Sequence, residues 1–420
     1  MKRKEPVFKE IVIEKLVHGG QGIGVIDDGR KAFIWNALPG ETVSARLTKQ
    51  KKDFVEGVAE EILHPAEERI TPRESMYLAT SPWQNMTLDA EHDAMKQIVR
   101  ETFEREGVAL SKFEVVSDGK EFEYRNKIEF SFFGDDEGLH YAFYNRGTHH
   151  KQIINSSALA MPVINDVAQA FLQELNKNNV RAGDLKSVIF RCTQAGEVVG
   201  ALFVKPTEFP KLSLSDGLRG LRVYHSNPKS PASVATKLLF EIGETALSDR
   251  LLGEELCYDV TGFFQVNLPV FDLALRRIDY FTGGAKNKID MYAGVGSIGI
   301  PIGMTNTLVE LDPANVAMAR KNVSYRPIEV VQASTEEALE YITNDTALIV
   351  DPPRSGLHKD VIARIREVQP IQVCYLSCNP ATQARDTALL SDLYKIRAFD
   401  CYNFFPRTPH IETLIILVKK

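Results

Sequence analysis

Cysteine is scarce in this sequence of 420 residues, and its spacing is irregular. The five cysteines are Cys192, Cys257, Cys374, Cys378 and Cys401, and no Cys-x-x-Cys pair occurs. An odd number at these spacings argues against a disulfide framework and against a zinc ribbon. Any cysteine that matters in this protein is therefore expected to act as a thiol.

Long apolar runs are absent as well. Residues 1–5 are basic, but no apolar stretch follows them, so they do not form a secretory signal. No run approaches the roughly 20 apolar residues that span a bilayer, and the apolar stretch 414–418 has the length of a strand. We predict a soluble cytoplasmic protein without a membrane partner.

The chain also lacks an excess of positive charge. Its 50 Lys and Arg residues are outnumbered by 56 Asp and Glu residues, which gives a formal net charge of −6. Such a balance does not by itself indicate a nucleic-acid-binding protein, so an RNA partner would require basic residues concentrated on one face. The cluster Arg46, Lys49, Lys51 and Lys52 is one candidate patch, and a solvated loop explains it equally well.

The length predicts two or three domains. Residues 1–64 alternate short apolar runs with glycine turns, which indicates a small β-barrel with strands at 11–17, 24–27, 32–35 and 41–47. Asp28-Gly29 between two of these runs predicts a hairpin turn. A proline-containing stretch from residue 65 marks the boundary of the barrel.

Residues 65–254 are predicted to form a central α+β domain. Apolar residues at helical spacing predict a helix over 89–105, a candidate to pack on the C-terminal domain, and a second helix over 163–176. Strands are expected at 127–133, 187–193 and 198–204.

Residues 255–420 repeat a pattern of strand, turn and helix. The apolar strands at 288–291, 307–310, 329–332, 347–351 and 372–377 are separated by helical segments such as 313–322 and 359–368. This alternation predicts an α/β fold with a doubly wound, Rossmann-like parallel sheet.

A glycine-rich loop follows the first of these strands, with Gly294, Gly296 and Gly299 in a Gly-x-Gly-x-x-Gly arrangement. Glycines let the backbone turn tightly beside a ligand. Glu310 ends the next strand and is placed to accept hydrogen bonds from ribose hydroxyls, while Asp290 inside the loop would repel phosphate. Both features favour a phosphate-free cofactor, although a nicotinamide cofactor and a purely structural βαβ turn remain alternatives.

Three more segments follow strands or lead into one at the same predicted sheet edge. In the segment Asp351-Pro352-Pro353-Arg354, the two prolines hold the Asp on a rigid backbone. Amine-methylating enzymes have an aromatic residue at the position of Arg354. The arginine therefore argues against an adenine amine as the substrate. Cys378 follows the next strand and is either a nucleophile or a core residue. Glu412 enters the last strand and is a candidate general base, with His410 as its rival.

Taken together, these segments resemble the RNA 5-methyluridine (uracil-C5) methyltransferase family. The matching segments are 264–267 (Phe-Gln-Val-Asn), 292–299, 351–356, 377–380 and 405–412. Residues 10–62 resemble the TRAM domain, a small RNA-binding barrel of many members, and 124–127 (Tyr-Arg-Asn-Lys) resembles an element of the family's central domain. The likeness covers essentially the whole chain.

The resemblance implies roles for individual residues. Cys378 matches the nucleophile and Glu412 the base. The residues that match cofactor-pocket positions are Gln265, Tyr292, Ser297, Glu310 and Asp351. Gln265 and Asp351 also lie near the uracil in relatives, and Arg125, Lys127 and Asp351 are the expected substrate contacts. One acidic pocket position of some relatives falls on Ser334.

This chain departs from the family at the positions that hold an iron–sulfur cluster in many members. Four cysteines are expected there, and this chain has Glu74, Thr80, Trp83 and Ser157 instead. None of these residues can supply a thiolate, so we predict no iron–sulfur cluster and no metal, with packing around Trp83 and Met86 in its place.

The implied reaction is methylation of C5 of a uridine, with S-adenosyl-L-methionine as cofactor and an adduct between Cys378 and C6. The TRAM-like barrel favours 23S ribosomal RNA as the RNA partner, and transfer RNA is the alternative. A cytosine-C5 methyltransferase, a nicotinamide oxidoreductase and a non-catalytic RNA-binding or ribosome assembly protein also remain open, as does a folate methyl donor. No obligate protein partner is evident.

Overall fold

The computed structural model describes residues 7–146, 150–230, 232–303 and 305–420. Within these ranges the chain forms two compact units. The first unit combines residues up to 101 with 143–152 and 405–410, and the second combines 102–142, 153–404 and 411–420.

The first unit contains a closed five-stranded barrel in the order β1-β2-β3-β5-β4. Its strands are β1 (Phe8–Leu16), β2 (Gly22–Val25), β3 (Lys31–Trp35), β4 (Thr42–Gln50) and β5 (Phe54–His64). Ile11 and Ile13 are 1% exposed and point inward, whereas Val12 between them is 60% exposed. The predicted hairpin at Asp28-Gly29 joins β2 to β3 and is confirmed. Four of the strands were predicted, and β5 closes the barrel by pairing with both β3 and β4.

A buried carboxylate fastens the barrel to the chain that follows it. Glu41 is fully buried and accepts hydrogen bonds from the backbone N–H groups of Leu38 at 2.8 Å and Ala66 at 3.2 Å. Arg69 donates to the same carboxylate from Nη2 at 2.7 Å. The short helix α1 (Tyr77–Thr80) and the longer α2 (Leu88–Arg105) come next, and α2 confirms the predicted helix.

A seven-stranded sheet has the order β13-β12-β11-β10-β7-β8-β9, and its strands belong to the second unit except for residues 143, 144, 151 and 152. Its strands are β7 (Lys127–Asp135), β8 (Gly138–Tyr144), β9 (Lys151–Ile154), β10 (Leu185–Cys192), β11 (Val198–Val204), β12 (Leu218–His225) and β13 (Lys237–Gly243). The helix α3 (Pro162–Lys177) packs on this sheet, with Phe171 edge-on to Phe190 at 5.6 Å between ring centroids. The predicted strands β7, β10 and β11 and the helix α3 are confirmed. A hairpin of β14 (Leu247–Leu251) and β15 (Glu254–Tyr258) leads onward.

An eight-stranded sheet forms the rest of the second unit, in the order β18-β17-β16-β19-β20-β22-β21-β6. Its strands are β6 (Val115–Val116), β16 (Asn287–Met291), β17 (Thr307–Glu310), β18 (Glu329–Gln332), β19 (Thr346–Val350), β20 (Gln372–Ser377), β21 (Tyr394–Tyr402) and β22 (Glu412–Lys419). The connecting helices are α4 (Leu268–Thr282), α5 (Pro313–Asn322), α6 (Lys359–Val368) and α7 (Pro380–Leu390). Strands β16 to β20 run parallel, which confirms the Rossmann-like α/β fold, and β22 is antiparallel to β20.

Candidate active site

The glycine-rich loop after β16 is held by the carboxyl groups of two side chains, Asp290 and Glu310. The N–H of Gly299 donates to Asp290 Oδ2 at 2.7 Å, and the N–H of Gly294 donates to Glu310 Oε2 at 2.8 Å. Glycine is required at Gly296, where φ is +87°, and at Gly299, where a Cβ would lie 2.6 Å from Leu308. Two backbone donors of the loop are thus already occupied by side-chain carboxyl groups and do not point at an anionic ligand.

A cavity of about 650 Å³ lies beside this loop. Tyr292 and Glu310 line it, together with Ser334, Thr335 and the loop 355–357. The structure therefore brings two of the predicted cofactor residues to one cavity, and Ser334, on which an acidic position of some relatives was expected to fall, also lines it. Among the described residues the lining does not include Gln265, Ser297 or Asp351.

The loop after β19 carries Asp351 and is fastened by side chains of α7. Asp386 Oδ2 accepts a hydrogen bond from the N–H of Leu357 at 2.9 Å, and Arg385 Nη2 donates to the carbonyl of Ser355 at 3.1 Å. Asn379, at the start of α7, donates from Nδ2 to the carbonyl of Arg354 at 2.7 Å. These contacts fix the backbone that follows Asp351.

Cys378 and Glu412 lie at the ends of neighbouring strands. The register pairs Ser377 of β20 with Thr413 of β22, so Cys378 immediately follows one strand and Glu412 begins the other beside it. Cys378 is partly exposed, whereas Glu412 is 4% exposed. The predicted nucleophile and base therefore occupy the same edge of the sheet.

Burial disfavours the charged forms of the Cys378 thiol and of the carboxyl groups near it. Burial raises the pKa of Cys378 to about 11, with further contributions from the charges of Glu412 and Asp351, while a hydrogen bond and the charge of Arg354 act in the opposite direction. Burial, followed by the charge of Asp351, also raises the pKa of Glu412 well above its ordinary value. Burial raises the pKa of Asp351 to about 7. Strongly perturbed titratable groups that act on one another are typical of a catalytic site.

The segment that carries Gln265 is held from the start of β7. Asn126 Nδ2 donates to the carbonyl of Gln265 at 3.3 Å, and the Asn126 N–H donates to the carbonyl of Val266 at 3.1 Å. Lys127 Nζ lies 3.4 Å from the carbonyl of Thr261, and its pKa is lowered to about 8, mainly by burial. Arg125 is half-buried and pairs through its backbone with the chain near residue 160.

Several residues of this site had no predicted role. The charge of Arg354 lowers the pKa of Cys378, and Asp386 holds the loop that follows Asp351. Arg191 donates hydrogen bonds to the carbonyl of Gly262 at 2.8 Å and to the carbonyl of Phe264 at 2.6 Å. Arg354 lies within a motif that the sequence does reveal. Asp386 and Arg191 lie within a helix and a strand without any local signal.

In the first unit, polar and aromatic side chains occupy three of the positions at which the family resemblance led us to expect cluster-binding cysteines, namely Glu74, Thr80 and Trp83. Thr80 Oγ1 and Gln84 Nε2 donate to Glu74 Oε1 at 3.0 and 3.1 Å. Trp83 is buried and donates from Nε1 to the carbonyl of Gly20 at 3.2 Å, and its backbone N–H donates to the carbonyl of Arg407 at 3.1 Å. Hydrogen bonds and packing thus hold this segment together.

The described ranges contain neither a metal-binding cluster nor a helix that could span a membrane. No group of three or more His, Cys, Asp or Glu side chains there is arranged to hold a metal ion. Among the helices of the described part of the chain, none combines the length and the apolar character needed to cross a membrane.

Sequence comparison identifies relatives of this chain. The family described as tRNA (Uracil-5-)-methyltransferase matches residues 84–223 and 259–420, and the TRAM domain matches residues 8–59. A Thermotoga maritima protein named an uncharacterized RNA methyltransferase is 26% identical over 444 residues, which cover 98% of this chain and 99% of that protein. A Lactobacillus johnsonii protein with the same name is 27% identical over 443 residues, with 97% of each chain covered.

A solved structure shares the fold of the whole chain. The tRNA (uracil-54, C5)-methyltransferase of Pyrococcus abyssi, in complex with S-adenosyl-L-homocysteine, matches with a TM-score of 0.77 at 23% identity, covering 98% of this chain and 99% of that one. The predicted fold and the prediction of an RNA methyltransferase are confirmed by these matches. The family match contains every candidate site residue and more than half of the sequence, and this chain belongs to the tRNA (uracil-5-)-methyltransferase family.

Proposed function

We propose that this protein transfers a methyl group from S-adenosyl-L-methionine to C5 of a uridine in RNA, with Cys378 as nucleophile and Glu412 as proton acceptor. The observation that carries the proposal is the placement of a partly exposed thiol, the buried carboxyl group of Glu412 and the partly buried carboxyl group of Asp351 at one sheet edge, where the charges of Glu412 and Asp351 act on Cys378. We also propose that the chain divides into three parts, which are a barrel (1–64), a central domain (65–254) and a catalytic domain (255–420).

The cavity beside the glycine-rich loop fits a cofactor without phosphate. Glu310 offers carboxylate oxygens to ribose hydroxyls, and Asp290 and Glu310 already occupy two N–H groups of the loop. A dinucleotide would need such groups for its pyrophosphate, so the geometry favours S-adenosylmethionine over a nicotinamide cofactor. The P. abyssi protein of the same fold holds S-adenosyl-L-homocysteine, which supports this choice. Tyr292 also lines the cavity, whereas Ser297, Gln265 and Asp351 are assigned to the cofactor by the family resemblance alone.

The bound cofactor would supply an electrophilic methyl group. Uracil C5 is a poor nucleophile until the thiolate of Cys378 forms a bond with C6, which moves an electron pair onto C5 and the adjoining carbonyl. The Arg354 guanidinium stabilises the thiolate that this step needs, because it lowers the pKa that burial raises. In this scheme Asp351 forms a hydrogen bond with the edge of the uracil ring while charge develops there.

Product release requires a base. After C5 is methylated it still carries its proton, and Glu412 in its ionised form takes that proton. The electron pair of the broken C–H bond forms the C5–C6 double bond, and the Cys378 thiolate leaves. Because burial raises the pKa of Glu412, its ionised form is a stronger base than an exposed glutamate.

The acceptor is proposed to be a uridine extruded from 23S ribosomal RNA, with transfer RNA as the second candidate. A base must leave its stack to reach Cys378. The N-terminal barrel is the reason to test ribosomal RNA first, while the P. abyssi protein is named for uracil-54 of tRNA. Arg125 and Lys127 are the proposed RNA contacts of the central domain.

The experiment is a direct assay of the product. Purified protein and S-adenosylmethionine are incubated with unmodified 23S ribosomal RNA and separately with unmodified tRNA, and 5-methyluridine is quantified by mass spectrometry. We expect product in one of the two RNAs. Cofactor binding without product in either RNA would favour another acceptor base or a non-catalytic RNA-binding role, and absence of cofactor binding would refute the proposal.

Two variants test the assigned roles. Cys378→Ala should form neither product nor adduct, whereas Glu412→Gln should accumulate a methylated protein–RNA adduct that survives denaturing electrophoresis. Cys257→Ala is the matched control, because Cys257 is also partly exposed and lies outside the site. Turnover by Cys378→Ala at the rate of the Cys257→Ala control would contradict the covalent scheme.

A further inference from the structure

A buried glutamine on α7 connects the two strands that carry the nucleophile and the base. Gln383 is fully buried and donates from Nε2 to the carbonyl of Tyr375 on β20 at 2.8 Å and to the carbonyl of Thr413 on β22 at 3.2 Å. Its Oε1 accepts a hydrogen bond from the Thr413 hydroxyl at 2.7 Å. All polar atoms of this side chain are therefore directed at these two strands.

The contacts of Gln383 lie directly beside the reacting groups. Thr413 is the residue after Glu412, and its hydroxyl lies 3.4 Å from the carbonyl of Ser377, which precedes Cys378. The side chains of Gln383 and Thr413 thus tie the end of β20 to the start of β22, in addition to the backbone ladder between these strands. The helix that supplies Gln383 begins two residues after Cys378, so its position is linked to that of the thiol.

We propose that Gln383 is a positioning residue for the methyl transfer, acting with Thr413 to fix the separation of Cys378 and Glu412. This inference rests on the proposed function. Cys378 must reach C6 while Glu412 reaches the proton on C5 of the same ring, so the two groups have to be held at a set separation. Gln383 touches neither RNA nor cofactor in this scheme and acts through the strands alone.

The expected effect is on the rate of the chemical steps rather than on binding. A misplacement of about 1 Å at a reacting group can cost on the order of 100-fold in rate. Gln383→Leu keeps the size of the side chain and removes its hydrogen bonds, so we expect kcat to fall about 10- to 100-fold. The affinity for S-adenosylhomocysteine should stay within about twofold, because Gln383 is not part of the cofactor cavity.

The experiment compares Gln383→Leu, Thr413→Val and the double variant in single-turnover methylation of the RNA that the wild type accepts. Gln372→Leu is the matched control, since Gln372 is a buried glutamine at the opposite end of β20, where it donates to Cys374 Sγ at 3.2 Å. If the two side chains act as one clamp, the double variant should be no slower than the slower single variant. If they act independently, the two losses should multiply.

Amide hydrogen exchange gives a readout that needs no RNA. Peptides that contain residues 375–378 and 411–414 should exchange faster in Gln383→Leu than in Gln372→Leu if the clamp exists. Faster exchange together with reduced kcat and unchanged cofactor affinity is the expected result. A Gln383→Leu variant with the kcat of the Gln372→Leu control would overturn the inference. A wild type that methylates no RNA would instead refute the proposed function, and the exchange data would still decide whether the clamp exists.

Discussion

The carboxyl group of Asp290 is fully buried, and only one of its two oxygens accepts a hydrogen bond from the described residues. Its Oδ2 accepts the hydrogen bond from Gly299, while Oδ1 has no hydrogen-bond partner among the described residues. Burial, partly offset by the Gly299 hydrogen bond, raises the pKa of Asp290 to about 8. In the folded protein this carboxyl is therefore mostly neutral at pH 7, in contrast to the same group in an unfolded chain.

The raised pKa predicts that Asp290 makes the protein less stable as the pH rises. Between about pH 4, where an unfolded Asp ionises, and about pH 8, the folded state keeps a proton that the unfolded state has released. The free energy of unfolding therefore falls by at most about 1.4 kcal/mol per pH unit in this window. Asp290→Asn should remove this slope while keeping an acceptor for Gly299.

Urea unfolding of the wild type and of Asp290→Asn at pH 5, 6, 7 and 8 measures this difference. The wild type should lose stability relative to the variant at each step. Parallel curves for the two proteins would show that the pKa of Asp290 is not raised in the folded state.

At the residue scale, the sequence predicts the groups that sit in motifs and misses those whose role depends on distant contacts. Cys378 and Glu412 stand out because each follows or begins an apolar strand within a recognisable segment. Gln383 and Asp386 do not stand out in the sequence, because their partners are about thirty residues away along the chain. Gln383 is hydrogen-bonded to Thr413, and Asp386 is hydrogen-bonded to Leu357. Only the folded sheet brings these partners together.

At the scale of elements, the loop between β19 and α6 depends on α7 for its shape. Asp386 is 1% exposed and binds both the N–H of Leu357 and the hydroxyl of Tyr375, each at 2.9 Å. Gly356 in this loop has a φ of +78°, and a Cβ there would lie 2.7 Å from Asp386 Oδ2. The loop forms one wall of the cofactor cavity, so its shape affects ligand binding.

Asp386→Asn should therefore weaken cofactor binding. The asparagine amide keeps one acceptor oxygen, but it loses the second acceptor oxygen and the negative charge that holds Arg385. We expect this loss to cost about 1–2 kcal/mol, which corresponds to about a tenfold lower affinity for the cofactor. Calorimetric titration with S-adenosylhomocysteine measures this change. Asp392→Asn is the control, because Asp392 follows the same helix but makes an exposed ion pair with Arg366. Equal affinities for the two variants would contradict the role of Asp386.

Elements with a clear apolar period were predicted with nearly correct ends, and elements without one were missed. The strands β19 and β20 are buried throughout, and their sequences are almost continuously apolar. The strand β5 was missed because Gly57, Glu60 and Glu61 interrupt its alternation. The edge strand β13 was missed as well, since its apolar residues follow one another directly and remain partly exposed.

At the scale of the whole molecule, the ion pair between Glu41 and Arg69 attaches the barrel to the segment that follows it in the chain. Their side chains are 0% and 16% exposed. Removing one charge from a buried pair leaves the other without compensation, so Glu41→Gln should lower the free energy of unfolding by about 3 kcal/mol. Glu60→Gln breaks an exposed pair with Arg46 in the same barrel and should cost less than about 1 kcal/mol. Urea unfolding of both variants tests this difference, and equal losses would contradict it.

The long-range organisation is the part of the fold that the sequence predicts least. The first unit includes residues 143–152 and 405–410, which are far along the chain from the barrel. Contacts such as that between the Trp83 N–H and the Arg407 carbonyl create this grouping. No local period or turn signal reports such a contact.

The position of β22 inside its sheet has a consequence for biosynthesis. Strands form hydrogen bonds within a sheet only when their neighbours exist, and β22 lies between β20 and β21 although it follows both in the chain. A nascent chain that has emerged only as far as residue 411 therefore leaves open the edges of β20 and β21 that pair with β22, and it lacks Glu412. Translation through residues 412–419 both completes this part of the sheet and supplies the proposed base, so the site can form only after these residues have been synthesised.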